Sequence, residues 1–313
     1  MIMFVYGGDF MEFLYLLEQI RIPGLNEFML AITNLGDETA FLVIALILFW
    51  CVDKRRGYFV LSVGFLGTIL NQFMKLWFRI PRPWVLDKNF TILEQAREAA
   101  SGYSFPSGHS QSAVGTFGGV AYTANRKIVR IVSVVIAVLV PFSRMYIGVH
   151  TPLDVLVASA LAVALIVTIH PVFYCKDGKY IPVLMGIMAL CAAAYLCFVE
   201  LYPFPSDIDA HNLASGIKNA YTLLGALLGI LAVYFVDERY LHFQTNAVWW
   251  IQILKTICGL ALVLLVKNGM KTPLDMLLGA SIGRMCRYFL IVITAGIVWP
   301  LTFRLFGKLS NKE

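Results

Sequence analysis

Charge is what this sequence has least of. Only 14% of its 313 residues are Asp, Glu, Lys or Arg, against 59% hydrophobic residues, and mean hydropathy is +0.76. A soluble globular chain carries about a quarter charged residues, so this composition excludes that class and indicates a polytopic membrane protein. Paired cysteine spacings are absent as well. Cys51, Cys175, Cys191, Cys197, Cys258 and Cys286 are scattered through apolar stretches and read as packing residues, not as a disulfide framework or a metal site. The N-terminus lacks a basic n-region, since Asp9 and Glu12 stand there, and no small-residue cleavage pattern follows; no secretory signal peptide is expected. No carboxylate cluster suited to magnesium occurs.

What is present is a series of apolar runs near the ~20 residues a membrane-crossing helix needs. Spans are expected at 39–53, 57–78, 108–125, 127–143, 151–173, 180–200, 217–236, 246–267 and 286–307, the first being short and open to continuation into 22–36. The expected fold class is all-α, a polytopic transmembrane helix bundle. Residues 9–21 place Phe10, Phe13, Leu14, Leu17 and Ile20 at helical spacing, which fits either an interfacial helix or a packed first helix. Trp77, Trp84, Trp249 and Trp250 near span ends fit an aromatic belt.

Short loops rich in Lys and Arg are retained in the cytoplasm. Lys54, Arg55 and Arg56 mark one such loop, Arg126, Lys127 and Arg130 the next, Lys176 and Lys179 a third, and Arg304, Lys308 and Lys312 the tail. The connections 79–107 and 142–150 are thereby expected on the opposite, extracytoplasmic side. These anchors and a few cations discussed next account for the net charge of +6, so no nucleic acid partner is expected.

Three short blocks carry the chemistry. Lys75 precedes Arg82-Pro83; Pro106-Ser107-Gly108-His109 follows; Ser143-Arg144 then leads to His150 and Asp154. Phosphoryl transfer spreads charge over three equatorial oxygens, and Lys75, Arg82 and Arg144 supply cations to meet it. Ser107 and Gly108 open a helix whose free N–H groups and dipole suit an anion, although Ser107 also reads simply as an N-cap. His109 at that helix mouth is placed to protonate a leaving oxygen. Asp154 has two readings: a carboxylate stabilising the helix that begins at Thr151-Pro152, or the acceptor that orients His150 for attack on phosphorus. The run Lys271-Thr272-Pro273-Leu274-Asp275 repeats the Thr-Pro-Leu-Asp pattern without the histidine, so that pattern alone is not catalytic. Arg79 and Lys88 match no block and are read as interfacial.

In order and spacing these blocks resemble the type 2 phosphatidic acid phosphatase superfamily, over roughly residues 35–172, with no departure at a motif residue. The resemblance implies a haloperoxidase-like helical core, His150 as the nucleophile forming a phosphohistidine, Asp154 orienting it and His109 as general acid. It further implies that Lys75, Arg82, Ser107, Gly108 and Arg144 bind the phosphate, with no metal and no cofactor. The chain accordingly divides into an N-terminal amphipathic or interfacial segment (1–36), a catalytic core (37–174) and accessory helices (175–313). About four C-terminal spans exceed what the chemistry needs, an arrangement similar to sphingosine-1-phosphate and glucose-6-phosphate phosphatases.

The expected activity is hydrolysis of a lipid phosphomonoester or diphosphate on the extracytoplasmic face of a bacterial plasma membrane. The alternatives are a phosphotransferase using the same site, or a non-enzymatic head-group transporter or flippase. Expected partners are the lipid phosphate and the bilayer, with a homo-oligomer left open. The 84–105 segment, with Trp84, Glu94, Arg97 and Glu98, joins two blocks and is expected to influence head-group choice. Arg284 and Arg287 are expected to be structural, and residues 202–211 a proline-stiffened loop.

Overall fold

The computed structural model describes residues 9–97, 100, 102–175 and 178–304, so Glu98, Lys176, Lys308 and Lys312 lie outside the described residues. Among the described residues the secondary structure is helical, with no strand. Helices α1 (Asp9–Gln19) and α2 (Pro23–Thr33) lead through a tight turn, Asn34–Gly36, to α3 (Glu38–Ile47), which closes in a π turn over Leu48–Val52. Then come α4 (Lys54–Phe78), the short α5 (Pro83–Leu86), and α6 (Gly108–Ala113), which runs through a π turn, Val114–Gly118, into α7 (Gly119–Thr123). Next are α8 (Lys127–Tyr146), α9 (Pro152–Tyr174), α10 (Ile181–Leu201) and α11 (Ala210–Val236). The last are α12 (Trp249–Gly269), α13 (Lys271–Leu278), α14 (Ala280–Ile293) and α15 (Trp299–Leu301).

Seven of the described helical stretches are long and apolar enough to cross a membrane, or eight if one bent pair counts as a single span. The protein is an integral membrane protein, and the expectation of nine spans needs two amendments. The segment expected at 39–53 is the second arm of that bent pair, Pro23–Gly36 and Glu38–Val52, which meet at 57°. The bend falls at Asp37, whose extended backbone leaves the helix and whose carboxylate accepts Thr39 N–H at 2.8 Å, capping α3. The run expected at 108–125 is not among the seven. Its three helical pieces hold six, five and five residues. At 1.5 Å per residue that is ~24 Å, and all three pieces pack along α8, with Ser107 N–H on the Asp154 carbonyl at 3.1 Å, so the run returns the chain antiparallel to α8 as a broken helix rather than as one regular span. It also buries Ser110, Gln111 and Thr116, a polar load a lipid-facing span does not carry.

The described chain falls into two compact units. The first comprises its residues up to Leu42, Leu66–Thr168 and Asp207–Leu213, and holds all three sequence blocks. Here α1 is packed on one face: Met11, Leu14 and Leu17 are buried with Phe90 and Ile92, while Phe13 and Ile20 of the expected stripe stay exposed. The apolar surface comes from the 84–105 connection, and polar contacts reinforce it, Tyr15 donating to Asp87 at 2.8 Å and Thr91 to Glu18. A neighbouring cluster of Met29, Ala96, Tyr146, Ile147 and Val149 packs α2 and the same connection around the end of α8.

The second unit comprises Val43–Phe65, Ile169–Ser206 and the described residues from Ala214 onward. It carries a half-buried lysine and a buried one, each with partners. Lys54 bridges to Asp237 at 2.7 Å, and Lys255 donates to the carbonyls of Trp50 at 2.8 Å and Thr245 at 3.1 Å. Arg287, also buried, lies 5.7 Å from the Tyr288 ring centroid. The second Thr-Pro-Leu-Asp run does not reproduce the first: Met270 is the N-cap of α13 and makes no side-chain cap bond.

Candidate active site

Lys75, Arg82, Ser107, Arg144, His150 and Asp154 are all buried in the first unit, and Gly108 and His109 are half-buried. Local structure sets each in place. Lys75 is in the last turn of α4, which ends when Arg79 takes a left-handed φ of 53° and returns its N–H to the Lys75 carbonyl at 3.0 Å. Arg82 is the extended N-cap of α5, and Pro83 at N1 supplies a pre-set φ. The Arg82 carbonyl accepts Val85 N–H at 2.9 Å and Leu86 N–H at 3.0 Å, so the first turn of α5 fixes the backbone that carries the guanidinium.

His150 owes its position to the end of α8. Gly148 has φ 88°, its N–H reaches the Met145 carbonyl at 3.0 Å, and Val149 N–H reaches the Arg144 carbonyl at 3.2 Å. This is the paired bonding of a Schellman ending, in which a left-handed glycine reverses the chain. A Cβ on Gly148 would also stand 2.8 Å from Arg21 Nη2 and 3.0 Å from the Phe90 ring. Just beyond, Thr151 N–H donates to Asp154 Oδ2 at 2.8 Å and Asp154 N–H to Thr151 Oγ1 at 3.4 Å, a reciprocal cap on α9. The structural reading of Asp154 is therefore realised in full.

The same carboxylate also faces the histidine, with Oδ2 3.4 Å from His150 Nδ1. Ser104, which the sequence blocks do not include, stands between them. Its hydroxyl donates to Asp154 Oδ2 at 2.6 Å and lies 3.4 Å from Nδ1. Ser104 is fixed in turn by its N–H to the Ile80 carbonyl at 2.8 Å. On the other side of the ring, Arg82 Nη1 is 2.9 Å from His150 Nε2. A guanidinium only donates, so Nε2 presents its lone pair and the ring proton is on Nδ1, facing Ser104 and Asp154. Burial, and then the charges of Arg82, Arg144 and Lys75, push the His150 pKa well below the ordinary imidazole value. The imidazole is neutral at pH 7.

Lys75 and Arg82 are held by backbone oxygens, and Arg144 by a side-chain hydroxyl. Lys75 donates to the Tyr103 carbonyl, and Arg82 to the carbonyls of Gly102 and Val149, each at 3.0 Å. Arg144 donates from Nη1 to Thr33 Oγ1 at 2.8 Å, while its buried Nε has no protein partner. Ser107 is the N-cap of α6, accepting Ser110 Oγ at 2.8 Å, and its own N–H reaches the Asp154 carbonyl at 3.1 Å. That bond ties the second block to the third. The turn between α2 and α3 closes the floor: a Cβ on Gly36 would be 2.8 Å from the His109 carbonyl oxygen.

Thr33, Gly36, Ser104 and Gly148 were not singled out from the sequence. Gly148 alone carried a local signal, a glycine just past a helical run. Among the described residues no group of three or more His, Cys, Asp or Glu is arranged to hold a metal ion.

A membrane helix bundle that gathers three buried cations and two histidines about a helix start is built to handle a phosphate ester. Residues 55–177 match the PAP2 superfamily, and residues 221–312 match the PAP2 superfamily phosphatase, transmembrane extension. The chain is 35% identical over 159 residues to phosphatidylglycerophosphatase B of Bacillus subtilis, covering 47% of this chain and 74% of the relative. It is 29% identical over 150 residues to an undecaprenyl-diphosphatase of Sulfolobus acidocaldarius, covering 48% and 71%. A further undecaprenyl-diphosphatase, of Bacillus subtilis, is 32% identical over 129 residues, covering 41% and 63%. No solved structure matches the chain. The chain belongs to the PAP2 superfamily and is a membrane phosphatase, and its helices from the latter part of α11 onward correspond to that superfamily's transmembrane extension.

Proposed function

We propose that this phosphatase hydrolyses a lipid phosphomonoester or diphosphate through a phosphohistidine on His150, without a metal ion, at the extracytoplasmic face. The observation that carries the reading is the 2.9 Å contact from Arg82 Nη1 to His150 Nε2. It leaves the neutral ring with its lone pair beside a cation able to transfer its hydrogen bond to a phosphoryl oxygen. Lys75, Arg82 and Arg144 hold the phosphate, and the Ser107–Gly108 turn adds backbone donors. The buried, unpartnered Nε of Arg144 supports that role.

In the first step Nε2 forms a bond to phosphorus as the phosphorus–oxygen bond to the lipid breaks, and His109, which takes up a proton when the bound phosphate anion offsets Arg144, Arg82 and Lys75, gives it to the departing oxygen. Ser104 and Asp154 stabilise the proton that remains on Nδ1. In the second step water attacks phosphorus, the phosphorus–nitrogen bond breaks, the water proton returns to His109, and inorganic phosphate leaves. The catalytic part is assigned to 37–174, flanked by the 1–36 and 175–313 segments.

Phosphatidylglycerol phosphate and an isoprenyl diphosphate are the head-group classes to test first, since the relatives named above carry those activities. The connection that bears Trp84, between Arg82 at 5.8 Å and Arg97 at 5.4 Å from its ring centroid, is where head-group choice is assigned. The test is phosphate release in detergent with EDTA from lipid mono- and diphosphates, comparing wild type with His150→Ala. Metal-independent release that disappears in the variant supports the reading. Full turnover retained by His150→Ala overturns it.

A further inference from the structure

Helix α4 brings Gly67, Asn71 and Lys75 to one face at four-residue spacing. Asn71 is 2% exposed, and neither its Oδ1 nor its Nδ2 has a protein partner. Its amide adjoins the Ser107–His109 turn, because a Cβ built on Gly108 would lie 3.8 Å from Asn71 Oδ1 with no other heavy atom within 4 Å. One turn along α6, Gln111 is 1% exposed and its Nε2 is likewise unpartnered. Gln111 fits only because position 67 is glycine, where a Cβ would stand 1.7 Å from Nε2.

Two buried amides with orphaned donors, on facing helices beside the same turn, are costly unless something completes their hydrogen bonds. Lys75 and Arg82 are already tied to backbone oxygens, and Arg144 to the Thr33 hydroxyl. A neutral amide adds donors without further like-charge repulsion among Lys75, Arg82 and Arg144. Gly108, having no side chain, leaves the way open between the Asn71 amide and the turn.

We infer that Asn71 is a further phosphate-contacting residue: its unpartnered amide, turned so that Nδ2 and not Oδ1 faces Gly108, donates to a non-bridging oxygen of the phosphoryl group held there, with Gln111 as the next hydrogen-bonding group inward. This rests on the phosphatase reading above. It assigns to α4 a second contact beyond Lys75 that no sequence block contains.

The experiment uses the full chain in detergent and inorganic phosphate as the competing probe of phosphate release. Asn71→Ala is expected to raise the phosphate inhibition constant about tenfold, and the near-isosteric Asn71→Asp, which sets a carboxylate against the anion, by about 100-fold. Asn71→Leu removes the orphaned groups, so it is expected to keep or raise Tm while inhibition weakens as in Asn71→Ala. Inhibition constants within about twofold of wild type in both Asn71→Ala and Asn71→Asp, with wild type active, overturn the inference alone. They would assign the amide to bound water. If wild-type release is absent or survives His150→Ala, the phosphatase mechanism itself fails, and that result is read before any Asn71 variant.

Discussion

Ser104→Ala tests the arrangement behind His150 most directly. The hydroxyl is fully buried, donates to Asp154 Oδ2 at 2.6 Å and lies 3.4 Å from His150 Nδ1, whereas Asp154 itself is 3.4 Å from that nitrogen. A hydrogen bond to a charged group contributes about 1.5–3 kcal/mol. The carboxylate keeps its bond from Thr151 N–H at 2.8 Å, so the substitution does not strand it, and the loss falls on the histidine's orientation. If that coupling is expressed in the transition state, kcat drops by about 10- to 100-fold. KM stays within about twofold, because the Ser104 hydroxyl touches none of Lys75, Arg82 or Arg144. The assay is phosphate release under steady-state conditions, with Tm measured in the same detergent. A kcat within about threefold of wild type at unchanged Tm would refute the bridging role.

Gly148→Ala forces a side chain into a left-handed φ, costing about 1–2 kcal/mol before its contact with Arg21 is counted. A lower Tm and reduced kcat are expected, and unchanged thermal unfolding would contradict the Schellman ending as the device that aims His150. For pH, the lowered pKa of His150 sets the sign. Above about pH 6.5 the ring is neutral folded and unfolded; below it the unfolded chain binds a proton that the folded site refuses, so stability falls as pH falls. Thermal unfolding from pH 8 to pH 5 should show that slope flattened in His150→Gln, and equal slopes would remove the assignment. Asp275→Asn, in the second Thr-Pro-Leu-Asp run, is expected to leave phosphate release within about twofold of wild type; a loss comparable to that of Asp154→Asn would mean the second run takes part in the chemistry.

The sequence alone was sufficient for the membrane class, the all-helical fold and the three blocks. Each is written in local chemistry: apolar runs of a set length, prolines and N-caps at helix starts, and cations at unusual positions. Thr151-Pro152-Leu153-Asp154 was legible as a helix start for the same reason, since a cap is made by residues three apart. Tertiary structure decided what depends on contacts between distant segments. The 108–123 run is apolar enough to read as one regular span, yet its break at a π turn and its buried polar face appear only when it is packed. Met11, Leu14 and Leu17 become the buried face of α1 because Phe90 and Ile92, some 75 positions away, meet them. Ser104, Thr33 and Asn71 look like any small polar residue until folding sets them beside His150, Arg144 and Gly108, because hydrogen bonding depends on distance in space and not on separation along the chain.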